Sequence, residues 1–224
     1  LLDKQRLHDA CAHPDVGIEV PATGSLAAVG GDVPVDVRLR YPVILKPRTQ
    51  VFLESGIKGV PVQDGEALAS ARARFETLIR FNRVLTDRYP DIAEPMVQEY
   101  LTAAETSIFS ISGFVSEDGE IAARASMKVL QRPRKLGIGL CFEWRPLDAV
   151  LVAKLSALCR KVGYYGVFEA EFIADGDRRL LIDFNPRYYS QMGFDIARGL
   201  AQPMLIWHAA HGDGHALQEE FTRA

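Results

Sequence analysis

LLIDFNPRYY, residues 180–189, sets Asp183, Asn185 and Arg187 at every second position, with Ile182, Phe184 and Pro186 between and beside them. Successive side chains of a strand project to opposite faces. The pattern therefore predicts one apolar face, one face of acid, amide and guanidinium, and a strand that stops at the proline. Such a polar face is either solvated or built to hold a ligand.

The preceding stretch bears on the choice. GVFEAEFI (166–173) carries Glu169 and Glu171, the latter twelve residues before Asp183, and ADGD joins the two strands. If Asp175, Gly176 and Asp177 form a three-residue loop, Ala174 pairs with Arg178 and Glu171 lies opposite Leu181. Asp183 then faces Glu169, and all three acids share one side. A two-residue loop shifts the register and puts Glu171 on the opposite face from Asp183. Carboxylates on one face repel unless a cation neutralises them. Hard oxygen donors suit Mg²⁺, Asn185 can add a neutral oxygen, and Arg187 can grip a phosphate or carboxylate in bidentate fashion. Equally, Arg178, Arg179 and Arg187 can pair with the acids on a solvated strand, so the hairpin alone leaves both readings open.

Outward from this hairpin, residues 4–13 read as a helix with Asp3 as N-cap and Pro14 as its stop. YPVILK (41–46) reads as a buried strand, and 47–59 as a loop bounded by basic groups. Apolar spacing predicts a helix from Gly65 to Tyr89, ended by Pro90. Strands follow at 96–101, 106–115 and 121–130, the last two joined by the turn EDG. A helix over 146–162 has Pro146 at its first position and Gly163 as its stop, and 191–199 and 203–211 complete the helices. Hairpins mixed with helices predict an α+β fold in two lobes.

Composition narrows the function classes. The 224 residues are 48% apolar with a formal net charge of −3, enough for a sizeable core. No basic tract invites nucleic acid, and apolar runs such as AVLVA (149–153) are too short to span a bilayer, so neither nucleic acid nor membrane is an expected partner. No signal-peptide pattern opens the chain. Cys11, Cys141 and Cys159 are odd in number and lack CxxC spacing; they read as buried free thiols of a cytoplasmic protein. GxxxxGK[ST], HExxH and GxSxG do not occur, and Gly137-x-Gly139 lacks its third glycine, so any nucleotide chemistry uses another design.

An acid followed twelve residues later by (E/D)-x-N-P-R resembles the magnesium signature of the ATP-grasp superfamily. DK at 3–4 with the helix after it and VPAT (20–23) are similar to the family's opening segment. YPVILKPR (41–48) resembles its phosphate-lysine strand, and VQEYL (97–101) its adenine-hinge strand. The pattern is most like the carbamoyl-phosphate-synthetase-like and biotin-carboxylase-like members and predicted carboxylate–amine ligases.

The resemblance implies an ATP-grasp fold of two lobes with ATP bound between them. It divides the chain into an opening segment (1–35), a smaller lobe with the phosphate lysine and hinge (36–101), and a larger lobe with the metal site (102–224). The family's preceding α/β domain is expected to be absent. Lys46 would hold the α- and β-phosphates, with Lys4 as a second charge. Gln98, Glu99, Tyr100 and Leu101 would present hinge backbone groups to adenine, and Glu105 would reach a ribose hydroxyl. Glu171, Asp183 and Asn185 would bind Mg²⁺ (or Mn²⁺), and Arg187 would stabilise the transferring phosphoryl or acyl-phosphate. The loop 47–59 offers only Gly56 and Gly59, so Arg48 or Lys58 would substitute for backbone donors to phosphate. Tyr188, Tyr189, Ser190 and Gln191 are candidates to line the acceptor site.

The implied reaction activates a small-molecule carboxylate as an acyl-phosphate for attack by an amine, giving amide, ADP and phosphate. A carboxylase or carbamoyl-phosphate-type enzyme acting through carboxyphosphate is the enzymatic alternative. A catalytically silent nucleotide-binding regulatory module is the alternative of another class.

Overall fold

Short apolar stretches pair antiparallel throughout and build two separate sheets. The structure, a computed structural model, describes residues 1–24, 26, 39–51, 58–78 and 80–224. It divides into one unit of Leu1, His8–Val20 and Ala103–Ala224, and a second of Leu2–Leu7 and Pro21–Thr102. Helix α1, Lys4–Cys11, is shared between them. Asp3 caps it as expected, its Oδ1 accepting from the N–H groups of Gln5 and Arg6.

In the smaller unit, β1 (Thr23–Gly24), β2 (Val43–Lys46), β3 (Val60–Val62) and β4 (Met96–Glu99) form a sheet in the order β1-β4-β2-β3. Alternation sends Val43, Leu45, Val60, Val62 and Val97 to one face, where they pack with Ala71 and Phe75. Those two belong to α2, Gly65–Leu78, a stripe one turn apart. The expected helix to Tyr89 is not continuous. A second helix, α3 (Arg83–Arg88), starts afresh where the Asn82 side chain accepts from Val84 N–H. An asparagine that competes for backbone donors favours a cap over a helix interior. Ile79 and residues 52–57 of the expected loop, Gly56 among them, lie outside the described residues.

The larger unit holds β5 (Ile108–Val115), β6 (Ile121–Arg132), β7 (Ile138–Arg145), β8 (Gly166–Asp175) and β9 (Arg178–Asn185), ordered β7-β6-β5-β8-β9. Phe109, Ile111, Phe168, Ala170, Phe172 and Phe184 fall on one face by register and are buried. Phe109 stacks on Phe172 at 5.2 Å and Phe168 on Phe184 at 5.6 Å between ring centroids. Truncating one of these rings to alanine costs about 3–5 kcal/mol. Helix α4 (Ala149–Val162) packs on β5 and buries Leu151, Leu155, Leu158 and Cys159. Gly163 ends it in the left-handed region, φ 65°, as expected. Pro146 is not its first residue. Asp148 is the cap, accepting from Val150 and Leu151, because a carboxylate satisfies two orphan N–H groups that a proline leaves open.

Helices α5 (Met192–Ala197), α6 (Gln202–His211) and α7 (Gly214–Arg223) follow β9. Leu200, Leu205, Leu217 and Phe221 pack with Phe114 and Ala122 at one end of the sheet's other face. Strands β1, β3 and β7 and helix α7 exceed the sequence reading. Cys11 and Cys159 are buried free thiols, but Cys141 lies exposed on the edge strand β7, whose outer side chains have no sheet neighbour to cover them.

Candidate functional site

The hairpin β8–β9 departs from the expected loop and still reaches the expected face. Asp175 pairs with Arg178, so the loop is the two residues Gly176 and Asp177, with Gly176 at φ 59° as a tight hairpin turn favours. Pairing runs regularly to Phe172 opposite Leu181, and the next step sets Glu171 opposite Asp183. Ile182 is the extra residue of a β-bulge. The bulge moves Asp183 from the parity of Leu181 to that of Glu171, and Asn185 then stands opposite Glu169. The odd-numbered loop was thus not the condition; a bulge supplies the same one-residue shift. The ladder ends at Asn185, where Pro186 has no N–H to continue it.

Glu171, Glu169, Asn185 and Arg187 each have an internal partner. The Lys128 ammonium reaches Glu171 Oε1 at 2.5 Å, with the two side chains only 5% and 13% exposed. Glu169, buried, accepts at Oε1 from Ser110 Oγ at 3.1 Å and from the Gln191 amide, and at Oε2 from Asn185 Nδ2 at 3.2 Å. Arg187 donates to Asn185 Oδ1 at 3.1 Å and to the Tyr188 carbonyl. Burial and the neighbouring Glu171 carboxylate push the Glu169 pKa up, against the hydrogen bonds from Gln191 and Ser110 and the charge of Lys128. Arg178, one of the expected counter-ions, pairs instead with Asp175.

The segment after the strand is anchored rather than open. Ser112 Oγ donates to Asp195 Oδ2 at 2.7 Å, and Tyr189 Oη lies 2.9 Å from the same oxygen and 2.7 Å from Gln202 Oε1. Gln202 Nε2 donates to the Gly113 carbonyl. Tyr189 and Gln191 are therefore buried structural donors, while Tyr188 and Ser190 stay exposed. Burial raises the Asp195 carboxyl despite Ser112, Tyr189, Arg198 and Arg124.

In the smaller unit, Lys46 and Gln98 share the sheet face opposite Val43 and Leu45, and Lys46 Nζ donates to Gln98 Oε1 at 3.2 Å. The hinge backbone is partly committed. Glu99 N–H donates to the Ala22 carbonyl, Tyr100 N–H to Pro42, and the Glu99 carboxylate accepts from Ala22 N–H. Leu101 follows the end of β4. Lys4 is buried in the first turn of α1, its N–H donating to Arg48 carbonyl at 2.7 Å. Arg48, expected as a phosphate donor, spends its guanidinium on Asp3 through bonds of 3.2 and 2.7 Å. Glu105, in the larger unit, pairs with Lys135 at 2.8 Å.

Among the described residues no three His, Cys, Asp or Glu side chains converge as a ready metal cage. Their chemistry still fits a hard divalent cation: two carboxylates face each other across a strand pair, with an amide beside them. A buried ammonium already holds positive charge against one of these carboxylates. Sequence reading missed Lys128, Ser110 and Asp195. For Ser110 and Lys128 the signal was present in SIFSISG and ASMK, where polar side chains recur at alternate positions of otherwise apolar strands.

No family model and no curated protein matches the chain. Solved structures do. A biotin carboxylase–ATP complex from Campylobacter jejuni aligns with TM-score 0.69 at 18% identity, covering 93% of this chain and 45% of that one. The biotin carboxylase domain of 2-oxoglutarate carboxylase from Hydrogenobacter thermophilus, with MgADP, ADP and bicarbonate, gives TM-score 0.64 at 16% identity over 86% and 41%. D-alanine–D-alanine ligase from Bacillus anthracis complexed with ATP gives 0.53 at 16% over 99% and 66%. The chain spans about half the length of the biotin carboxylase structures it is similar to. No described helix is long and apolar enough to cross a membrane.

Proposed function

Because the chain has the ATP-grasp fold, we propose that it binds Mg·ATP and activates a carboxylate as an acyl-phosphate, which an amine then attacks to give an amide, ADP and phosphate. The observation that carries this reading is the bulged register that puts Glu171 opposite Asp183, with Asn185 next on the same face. A divalent cation held by these oxygens would supply charge neutralisation for the phosphates. Lys46, steered by Gln98, is assigned to the α- and β-phosphates, with Lys4 as a second positive charge. The backbone of Gln98 to Leu101 is assigned to adenine, and Glu105 to the ribose. Arg187, whose fork reaches Asn185 and the Tyr188 carbonyl, is assigned to the charge that develops on the transferring phosphoryl group.

Phosphoryl transfer of this kind is mostly positioning and charge neutralisation, and it needs no protein nucleophile. That matches a polar face rich in cations and carboxylates. A carboxylase acting through carboxyphosphate would use the same groups with bicarbonate as the acid. A second reading is nucleotide binding without chemistry. It is favoured by one observation: Glu171 and Glu169 are already satisfied internally, Glu171 by the Lys128 ammonium and Glu169 by Ser110, Asn185 and Gln191.

Incubation with MgATP, a panel of carboxylic acids and hydroxylamine tests the proposal. Hydroxamate formed together with ADP supports ligase chemistry. ATP bound, with neither product for any acid or for bicarbonate, supports the silent module.

A further inference from the structure

Lys128 sits on β6, two strands away from β8, yet its ammonium ends on Glu171. The path is open because Ser126 pairs with Ser110, and Ser110 pairs with Glu171. Two small side chains let a long one lie diagonally across β5. Lysine is almost never this buried unless paired, so the sequence commits a costly residue to neutralising one carboxylate. Asn185 shows the same arrangement, its amide oxygen accepting a hydrogen bond from the Arg187 guanidinium.

We propose that Lys128 is an exchangeable internal counter-ion, holding Glu171 where a divalent cation belongs, so that cation binding displaces its ammonium. The inference rests on the magnesium reading above and deepens it. One oxygen, Glu171 Oε1, is wanted by both partners, and two cations on one carboxylate oxygen repel. A resident ammonium keeps the acids folded side by side when no cation is bound. Cation loading then leaves a free ammonium on the same polar face. A purely structural ion pair has no such exchange: removing its lysine disturbs the carboxylates and weakens cation binding or leaves it alone.

The two roles differ in sign. Binding of Mn²⁺ with a non-hydrolysable ATP analogue, followed by the loss of the free-ion electron spin resonance signal, is compared in wild type, Lys128→Gln and Asp183→Asn. Lys128→Gln is expected to bind Mn²⁺ roughly tenfold more tightly, and to gain more thermal stability from Mn²⁺ than wild type, because the ion now neutralises an otherwise unpaired buried acid. Unchanged or weaker binding in Lys128→Gln, with binding still lost in Asp183→Asn, overturns the counter-ion role and leaves the metal site standing. Binding that ignores Asp183→Asn in every protein overturns the metal site and this inference with it. Should Lys128→Gln not fold, the lysine-ammonium NMR signal of the wild-type protein decides. Saturation with Mg²⁺ and the analogue is expected to shift or broaden the Lys128 resonance, and an unchanged signal overturns the proposal.

Discussion

Glu171 and Asp183 stand directly opposite each other although the loop between their strands holds two residues, because Ile182 is left out of the ladder. Were Ile182 paired in the ladder, Asp183 would share the parity of Leu181 and point into the phenylalanine core. The bulge corrects a conflict that is written in the sequence itself. Deleting Ile182 should therefore straighten the hairpin and keep Glu171 paired with the same aspartate. The expected variant folds with a destabilisation of about 1–2 kcal/mol and retains its Mn²⁺ affinity. Loss of the affinity in a folded variant would mean that the twist of the bulge, and not the pairing alone, aims the carboxylates.

Lys46 is held toward Gln98 on the face away from the smaller unit's core. Lys46→Met keeps the stem and removes the charge, so the fold should survive. Affinity for ATP is expected to fall roughly ten- to a hundredfold, the worth of a charge-assisted hydrogen bond, in a calorimetric titration. Gln98→Ala should weaken it less, since it removes one partner of the lysine and keeps the lysine itself. Unchanged affinity in Lys46→Met would take the lysine out of the nucleotide site.

Arg187 offers a planar fork that lysine cannot copy. Arg187→Lys is expected to lower kcat by about a hundredfold or more while ATP affinity stays near wild type, the pattern of a group that acts on developing charge. Equal losses in kcat/KM and in ATP binding would instead make Arg187 a ground-state contact.

Much of this arrangement was legible in advance. Period-two alternation placed the strand that carries Asp183, and a compact apolar run placed the strand that ends at Lys46. The bulge was not legible, since Leu181, Ile182 and the residues around them are all apolar and any of several could be extruded. Long-range partners were hidden for a different reason. Lys128 and Glu171 are 43 residues apart, and only the strand order β6-β5-β8 makes them neighbours. Short edge strands such as β3, three residues long, bury too few side chains to show a period.

Asp195 gives a pH signature. Burial raises the Asp195 carboxyl against the hydrogen bonds it accepts from Ser112 and Tyr189, so folding favours the protonated form. Its raised folded pKa means this stabilisation is complete below the ordinary aspartate value of about 3.9 and fades as pH climbs through the folded value. Asp195→Asn keeps a donor and cannot ionise. Urea denaturation across that window should show wild-type stability falling relative to the variant as pH rises. Parallel profiles would mean that folding leaves the Asp195 pKa unchanged, against the raised value expected from its burial.

The polar face of β8 and β9 is proposed to drive transfer of the terminal phosphoryl group of ATP to a carboxylate. Positional isotope exchange tests it most directly: ATP labelled with oxygen-18 at the β,γ-bridge is incubated with Mg²⁺ and a carboxylic acid, without an amine. Scrambling of the label that requires the acid, and that disappears in Asp183→Asn, is the predicted result. A bridge label that stays in place with every acid and with bicarbonate, in protein that demonstrably binds ATP, would contradict it.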